Sequence, residues 1–280
     1  MSKINNISNV NGCQSKNRER MVKDIRGKIN SGTESKAQET ILQEAAMQGA
    51  DARGSGILPP RLTRDFYTRD GIALAKELLG KILVHETKAG TVRGIITEVE
   101  SYMGESDKGS HTYGGRRTER TEPMYHAGGT SYVYLIYGMY SCMNIAAMTE
   151  GIPQAVLLRS VIPADAESEK RMVQLRREAA EHRKRKKKET GAAESAGTEK
   201  PSFGKHLADG PGRLCIAMGI TREDNDVDMT TSDVFYVTEG IRVKPSEIHA
   251  ARRIGIDYAE EAAEYLWRFY IEKDWKGYEK

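Results

Sequence analysis

Between Asp65 and Leu79 the apolar residues fall at helical spacing. Ile72, Leu74, Ala75, Leu78 and Leu79 share a face, Asp70 stands at the N-cap position and Gly80 follows the last turn. The period then shortens. Ile82 to His85 and Val92 to Val99 read as two strands turning at Lys88-Ala89-Gly90. Tyr102 to Met124 has no period and is punctuated by Gly104, Gly109, Gly114 and Gly115. Ser131 to Ile145 resumes as strand and turn, and Ala155 to Val161 is a short apolar run. Asp165 to Arg177 is helical, and Leu214 to Gly219 is a short helix after Asp209-Gly-Pro-Gly. Val234 to Thr238 is a strand, followed by a helix near Ala259 to Trp267 and a terminal strand from Phe269 to Ile271. Strands and helices do not alternate regularly, which favours α+β over a doubly wound sheet.

Two stretches fall outside this pattern. Residues 1–58 are poor in aromatics and rich in Ser, Asn, Gln, Lys and Glu. Ser35 to Gln48 is compatible with a helix, but Ile41, Leu42, Ala45 and Ala46 make too small an apolar face to fold alone. A second polar, low-complexity run begins near Arg176 and extends to about residue 205. These stretches hold most of the deviation in composition, which is 38% apolar and 30% charged. The remainder, about 200 residues, suffices for one well-buried core. The expected organisation is a disordered tail at 1–58 and one domain at 59–280 carrying a basic insert at about 176–205.

A net charge of +3 is shared by many ordinary proteins and does not by itself call for a polyanion. Cys13, Cys142 and Cys215 form neither a metal-ligand spacing nor an even disulfide set. Cys142 and Cys215 read as small buried hydrophobes, which fits a reducing intracellular compartment. No apolar run is long enough for a membrane span and no signal-peptide core precedes the domain.

The candidate chemistry is concentrated in the middle of the chain. Tyr132, Tyr134, Tyr137 and Tyr140 fall within nine residues, although the chain has only 13 Tyr. Tyr132 and Tyr134 share a strand face, and Gly138 permits a turn between Tyr137 and Met139. Sheet packing is one reading of these rings, and a tip built to enter something is the other. Glu98, Glu100 and Tyr102 share a face of one strand, as a catalytic base or as a solvent-facing acidic pair. Arg159 interrupts Ala155-Val-Leu-Leu-Arg-Ser-Val161, and a buried Arg needs a carboxylate, for which Glu100 is the natural candidate. An Arg and a Glu so paired can hold a water between them. His111 sits in a glycine-rich loop with Arg116, Arg117 and Arg120, which bind phosphate or are simply solvated. No second His or Cys stands at zinc-ligand spacing. Asn144 reads a polar ring edge or makes a structural hydrogen bond. Asp209-Gly-Pro-Gly-Arg213 opens a short helix, a place that suits phosphate. His182 to Lys188 adds salt-sensitive affinity for nucleic acid or is a solvated charge block.

Taken in order, Thr97-Glu-Val-Glu-Ser-Tyr102, His111, Tyr132-Val-Tyr-Leu-Ile-Tyr-Gly-Met-Tyr140, Met143-Asn144, Val156-Leu-Leu-Arg159, Gly210-Pro-Gly-Arg-Leu214 and Arg253-Ile-Gly-Ile256 resemble the alkyladenine (3-methyladenine) DNA glycosylase family. The resemblance covers roughly Leu62 to Tyr270 and weakens between Arg176 and His206, where the chain is expanded. It implies a single compact α+β domain around a curved mixed or antiparallel β-sheet with a protruding β-hairpin. It implies a monofunctional DNA repair glycosylase of base excision repair. Such an enzyme flips alkylated purines, 3-methyladenine and in some members hypoxanthine, out of double-stranded DNA as a monomer, hydrolyses the N-glycosidic bond and leaves an abasic site.

By motif position, Glu100 is the base that activates water and Arg159 helps place it. Tyr102, His111, Tyr134 and Asn144 line the base pocket. Tyr137 is the wedge, with Met139 and Tyr140 beside it, and Arg116, Arg117 and Arg213 fall to the DNA backbone. No metal or other cofactor is implied. The expected place is the cytoplasm and nucleoid, or the nucleus in a eukaryote. Two other readings stand beside this one: a non-catalytic nucleic-acid binder of the same fold, and a carbohydrate hydrolase using Glu98 and Glu100 as its carboxylate pair.

Overall fold

The computed structural model describes residues 59–136, 138, 140–189, 203 and 206–272. The expected tail at 1–58, Cys13, Tyr137, Met139 and most of the second half of the expected insert lie outside the described residues.

The first helical stretch is two helices, α1 (Arg64–Tyr67) and α2 (Gly71–Leu78), broken where Asp70 caps the second. The Asp70 carboxylate accepts from the N–H groups of Ile72 and Ala73 at 3.0 and 3.1 Å, satisfying two of the free donors of a helix start. Strands β1 (Ile82–Thr87) and β2 (Gly90–Tyr102) form the expected antiparallel pair. A short helix α3 (Glu122–Tyr125) precedes the hairpin of β3 (Ser131–Ile136) and β4 (Tyr140–Ala147), and β5 (Gln154–Pro163) follows. Helix α4 spans Ala166–Glu189 and α5 spans Pro211–Met218. Strands β6 (Phe235–Thr238), β7 (His249–Ala251) and β8 (Arg268–Tyr270) complete the sheet. The expected helix near Ala259 to Trp267 is instead a 3-10 segment, Asp257–Glu264, interrupted where Glu260 takes φ 49°.

The order β3-β4-β5-β2-β1-β6 describes a curled sheet in which every pairing is antiparallel, so the fold is α+β. Strand β2 organises it. One edge of its 13 residues pairs first with β1 and then with β8, while the other edge pairs with β5. Two register shifts interrupt the β2–β5 ladder, where Thr97 on β2 and then Arg159 on β5 lack an opposite residue. Such bulges turn successive side chains to the other face. Before the shift, Val92 and Ile96 enter the main core; after it, Val99 does. On β5, Val156 and Leu158 lie in the core on one side of the bulge and Val161 on the other. The main core therefore occupies one face, packed with Leu74 and Leu78 of α2, Met172 of α4 and Leu214 of α5. The opposite face is left to Glu98, Glu100, Tyr102, Tyr132, Tyr134 and Arg159. Cys142 and Cys215 are buried and free. No helix among the described residues is long and apolar enough to cross a membrane.

The β3–β4 ladder closes with Ile136 opposite Tyr140. Gly138 at the turn has φ 66°, and no atom of the described residues beyond its chain neighbours lies within 4 Å of where a side chain would begin.

Candidate active site

The site is built on the second half of β2. Glu100 is wholly buried, and donors reach both of its carboxylate oxygens. Its Oε1 accepts from the Ile254 backbone N–H at 2.8 Å and lies 3.1 Å from Arg159 Nη1, and its Oε2 accepts from the Tyr102 hydroxyl at 2.9 Å. Burial pushes the Glu100 carboxyl up from its ordinary pKa, and Arg159, the Ile254 N–H and the Tyr102 hydroxyl pull it back. A carboxylate deprived of water but fixed by three donors is a strong proton acceptor held in one orientation.

Arg159 is shared. Its Nε donates to Glu98 Oε1 at 3.1 Å, and Arg268 Nη1 donates to the same oxygen at 3.0 Å. Sequence reasoning assigned Arg159 one carboxylate; the structure gives it two. The Asp209-Gly-Pro-Gly loop is tied to β5 by its backbone, with the Gly210 N–H donating to Arg159 O at 2.8 Å.

An aromatic wall adjoins the carboxylate. The rings of His111 and Tyr134 meet edge to face at 4.7 Å, and those of Tyr132 and Tyr134 lie 5.2 Å apart. His111 Nδ1 and the Tyr132 hydroxyl share a hydrogen bond of 3.0 Å. The Arg120 guanidinium carbon stands 5.0 Å from the centre of the Tyr134 ring. Burial, aided by Arg120 and Arg116, lowers the His111 pKa to about 4, so this ring is neutral at pH 7. Burial pushes Tyr132 up to about 12 and moves Tyr102 and Tyr134 upward as well. The wall is therefore uncharged apart from Arg120.

A pH effect follows from His111. Its folded pKa lies below the unfolded one, so below pH 6.5 the unfolded chain binds the proton more readily. Stability should fall from pH 6.5 towards pH 4, and His111→Asn should fall less over that window in thermal melts. Equal slopes in the two proteins would refute the assignment.

A buried ion pair supports the site from behind. Arg253 Nη1 and Nη2 donate to Asp107 Oδ2 and Oδ1 at 2.5 and 2.7 Å, and both side chains are completely buried. Arg253 also donates to the Ser101 and Ala262 carbonyls, and its guanidinium lies between the Tyr102 and Trp267 rings at 4.8 and 5.0 Å. The residue after Arg253 is Ile254, whose N–H holds Glu100.

Asn144 is buried, and its Nδ2 donates to the Tyr132 carbonyl at 3.1 Å, the structural hydrogen bond that had been one of its two readings. Arg117 forks onto Glu122 at 2.9 and 2.5 Å and covers the Tyr125 ring, while Arg116 is exposed. Arg213 lies on α5, and Tyr140 packs against Gly212 of the same helix. Sequence reasoning assigned no role to Asp107 or Arg253. A buried Asp is recognisable only by its partner, which here is 146 residues away. The sequence groups Arg120 with the other loop arginines, because nothing in its spacing signals the Tyr134 ring it covers. No group of three or more His, Cys, Asp or Glu among the described residues is placed to hold a metal ion.

Comparison with known proteins gives concordant matches. The family model described as Methylpurine-DNA glycosylase matches residues 65–275. A curated relative from Clostridium acetobutylicum, named "Putative 3-methyladenine DNA glycosylase", is 47% identical over 214 residues, spanning 75% of this chain and 94% of its own length. Relatives of the same name from Clostridium novyi and Clostridium perfringens are 44% and 42% identical, with 75% of this chain covered in each case and 94% and 95% of their lengths.

Proposed function

The chain belongs to the Methylpurine-DNA glycosylase family, and from that premise we propose that it excises alkylated purines from duplex DNA with a water activated by Glu100. The observation that carries this reading is the Glu100 carboxylate, buried and held by Arg159, Tyr102 and the Ile254 N–H beside the His111–Tyr134 wall. Water gives a proton to Glu100 as its oxygen bonds to the sugar C1′. The C1′–N bond breaks, and its electron pair leaves with the purine. A methylated, cationic purine departs as a neutral base, so no strong general acid is required, unlike a two-carboxylate glycosidase. Hypoxanthine is neutral and departs less readily. Water rather than an amine is the nucleophile, so the strand stays intact at the abasic site.

A base inside a duplex must first leave the stack, at a cost of a few kcal/mol. Tyr137, flanked by Met139 and Tyr140 at the tip of the β3–β4 hairpin, fills the gap. The freedom of Gly138 from neighbours suits a tip that enters a groove. The extruded base then faces Tyr102, Tyr134 and neutral His111, whose aromatic faces accept a cation. Asn144 limits the purine edge, and Arg116, Arg117 and Arg213 lie against phosphates.

The carbohydrate-hydrolase reading finds no support, because Glu98 and Glu100 converge on the same Arg159 rather than flanking a cleft. The test is a panel of duplexes carrying methylated, deaminated or no damage, with the released bases identified. Release of methylated purines alone or foremost, with no strand break before alkali, is expected. No release from methylated duplex would overturn the proposal.

A further inference from the structure

Helix α4 is longer than its packing requires. Its 24 residues extend about 36 Å at 1.5 Å per residue. Met172 is buried, and Val173 and Leu175 pack on the main core. Residues 181–185, by contrast, are all exposed. Between Arg176 and Lys188 stand eight Lys and Arg against two Glu, an excess larger than the net charge of +3 of the entire chain. The charge of this protein is therefore concentrated on one helical segment about 20 Å long.

The segment is anchored beside the hairpin. The Arg183 guanidinium carbon lies 4.8 Å from the centre of the Tyr140 ring, at the base of the β3–β4 turn. Arg176, seven residues earlier and on the same helical stripe, covers Phe203 at 4.7 Å and donates to the Leu207 carbonyl. Gly212 of α5 also packs against Tyr140. Like charges four apart along a helix, as at Arg183 and Lys187 or Lys184 and Lys188, weaken that helix. Cations in its last turns gain from the helix dipole, but this benefit is confined to the final turn and does not need the whole run. A polyanion beside the run would turn the repulsion into attraction.

Resting on the proposed glycosylase reading for its occupant, we infer that the C-terminal half of α4 is an arm that lies against the backbone of duplex DNA flanking the lesion, on the side where Tyr140 meets Arg183. About 20 Å of helix matches the axial rise of roughly six base pairs. The arm carries no base recognition. It adds phosphate contacts, lengthens residence on undamaged DNA and makes binding strongly dependent on salt.

The test is the salt dependence of affinity for an undamaged duplex. Each phosphate contact contributes about 0.9 to the slope of log Kd against log salt. Replacing Arg183, Arg185 and Lys187 by Gln should lower the slope by about 2.7 if all three contact phosphate, and by at least about 0.9 if one does. The Lys variants Arg183→Lys and Arg185→Lys should retain the wild-type slope, since charge and not shape is at issue. An unchanged slope in the Gln variant would overturn the arm, as would a loss in the Lys variants or preferential capture of anionic lipid vesicles over duplex. Base release by the wild-type protein is scored separately. Failure there would defeat the proposed function while the slope measurement still decides whether α4 meets DNA.

Discussion

Glu100→Gln should reduce single-turnover release of methylated purine by about 10²–10⁴-fold, the range expected when a positioned general base is removed. The substitution is chosen because the fold can accept it. Gln keeps one carbonyl oxygen for the Ile254 N–H and Arg159, and the Tyr102 hydroxyl can rotate to accept from the new amide. Arg159 retains Glu98 as a counter-ion. Burying a neutral amide also removes the desolvation that pushes the carboxyl upward. Affinity for lesion duplex should therefore stay close to that of the wild type while turnover collapses. Undiminished release would exclude Glu100 as the base. Lost binding together with lost turnover would point to a role in holding the pocket.

The second large effect is on stability. Asp107→Ala should lower unfolding free energy by about 3–5 kcal/mol, as for other buried pairs that lose one member. The Arg253 guanidinium would be left between two rings and two carbonyls with its charge uncompensated. The Met103 and Gly109 N–H groups would lose their acceptor as well. Denaturant unfolding gives the number. A loss below about 1 kcal/mol would show that the pair is not desolvated as its burial indicates. Asp107 acts on catalysis only through position. Arg253 precedes Ile254, so a shift there moves the N–H that fixes Glu100. Release by the folded fraction of Asp107→Ala should drop with little change in affinity for DNA.

Much of the fold was legible because its signals are local. The alternation of β1 and β2, the Gly138 turn and the Asp70 cap each depend on a few neighbouring residues. Arg159 was legible for another reason: an arginine inside an apolar run demands a carboxylate. Its second partner, Glu98, shares that face with Glu100, and strand spacing alone does not say that one guanidinium reaches both. The Asp107–Arg253 pair was missed because nothing in a loop aspartate reveals a partner beyond the next hundred residues. Helix α4 runs 12 residues past Arg177, where its sequence pattern ends. Arg, Lys and Glu are good helix formers, so low complexity did not stop it before Glu189. The 3-10 segment at Asp257–Glu264 failed to become the expected helix at Glu260, whose left-handed backbone no composition rule anticipates.

The opposed bulges of β2 and β5 bear on how this sequence can change length. Gly94 faces Pro163 before them and Glu100 faces Leu157 after them, so the second offset cancels the first. The two strands are therefore matched like a pair of rulers each carrying one spare division. Losing Thr97 alone would leave the Arg159 offset unanswered, either sliding one ladder by a residue or turning Glu98 and Glu100 towards Val99's side of the sheet. Insertions and deletions in these strands are viable only in compensating pairs, whereas the β3–β4 turn can vary in length without touching the carboxylate.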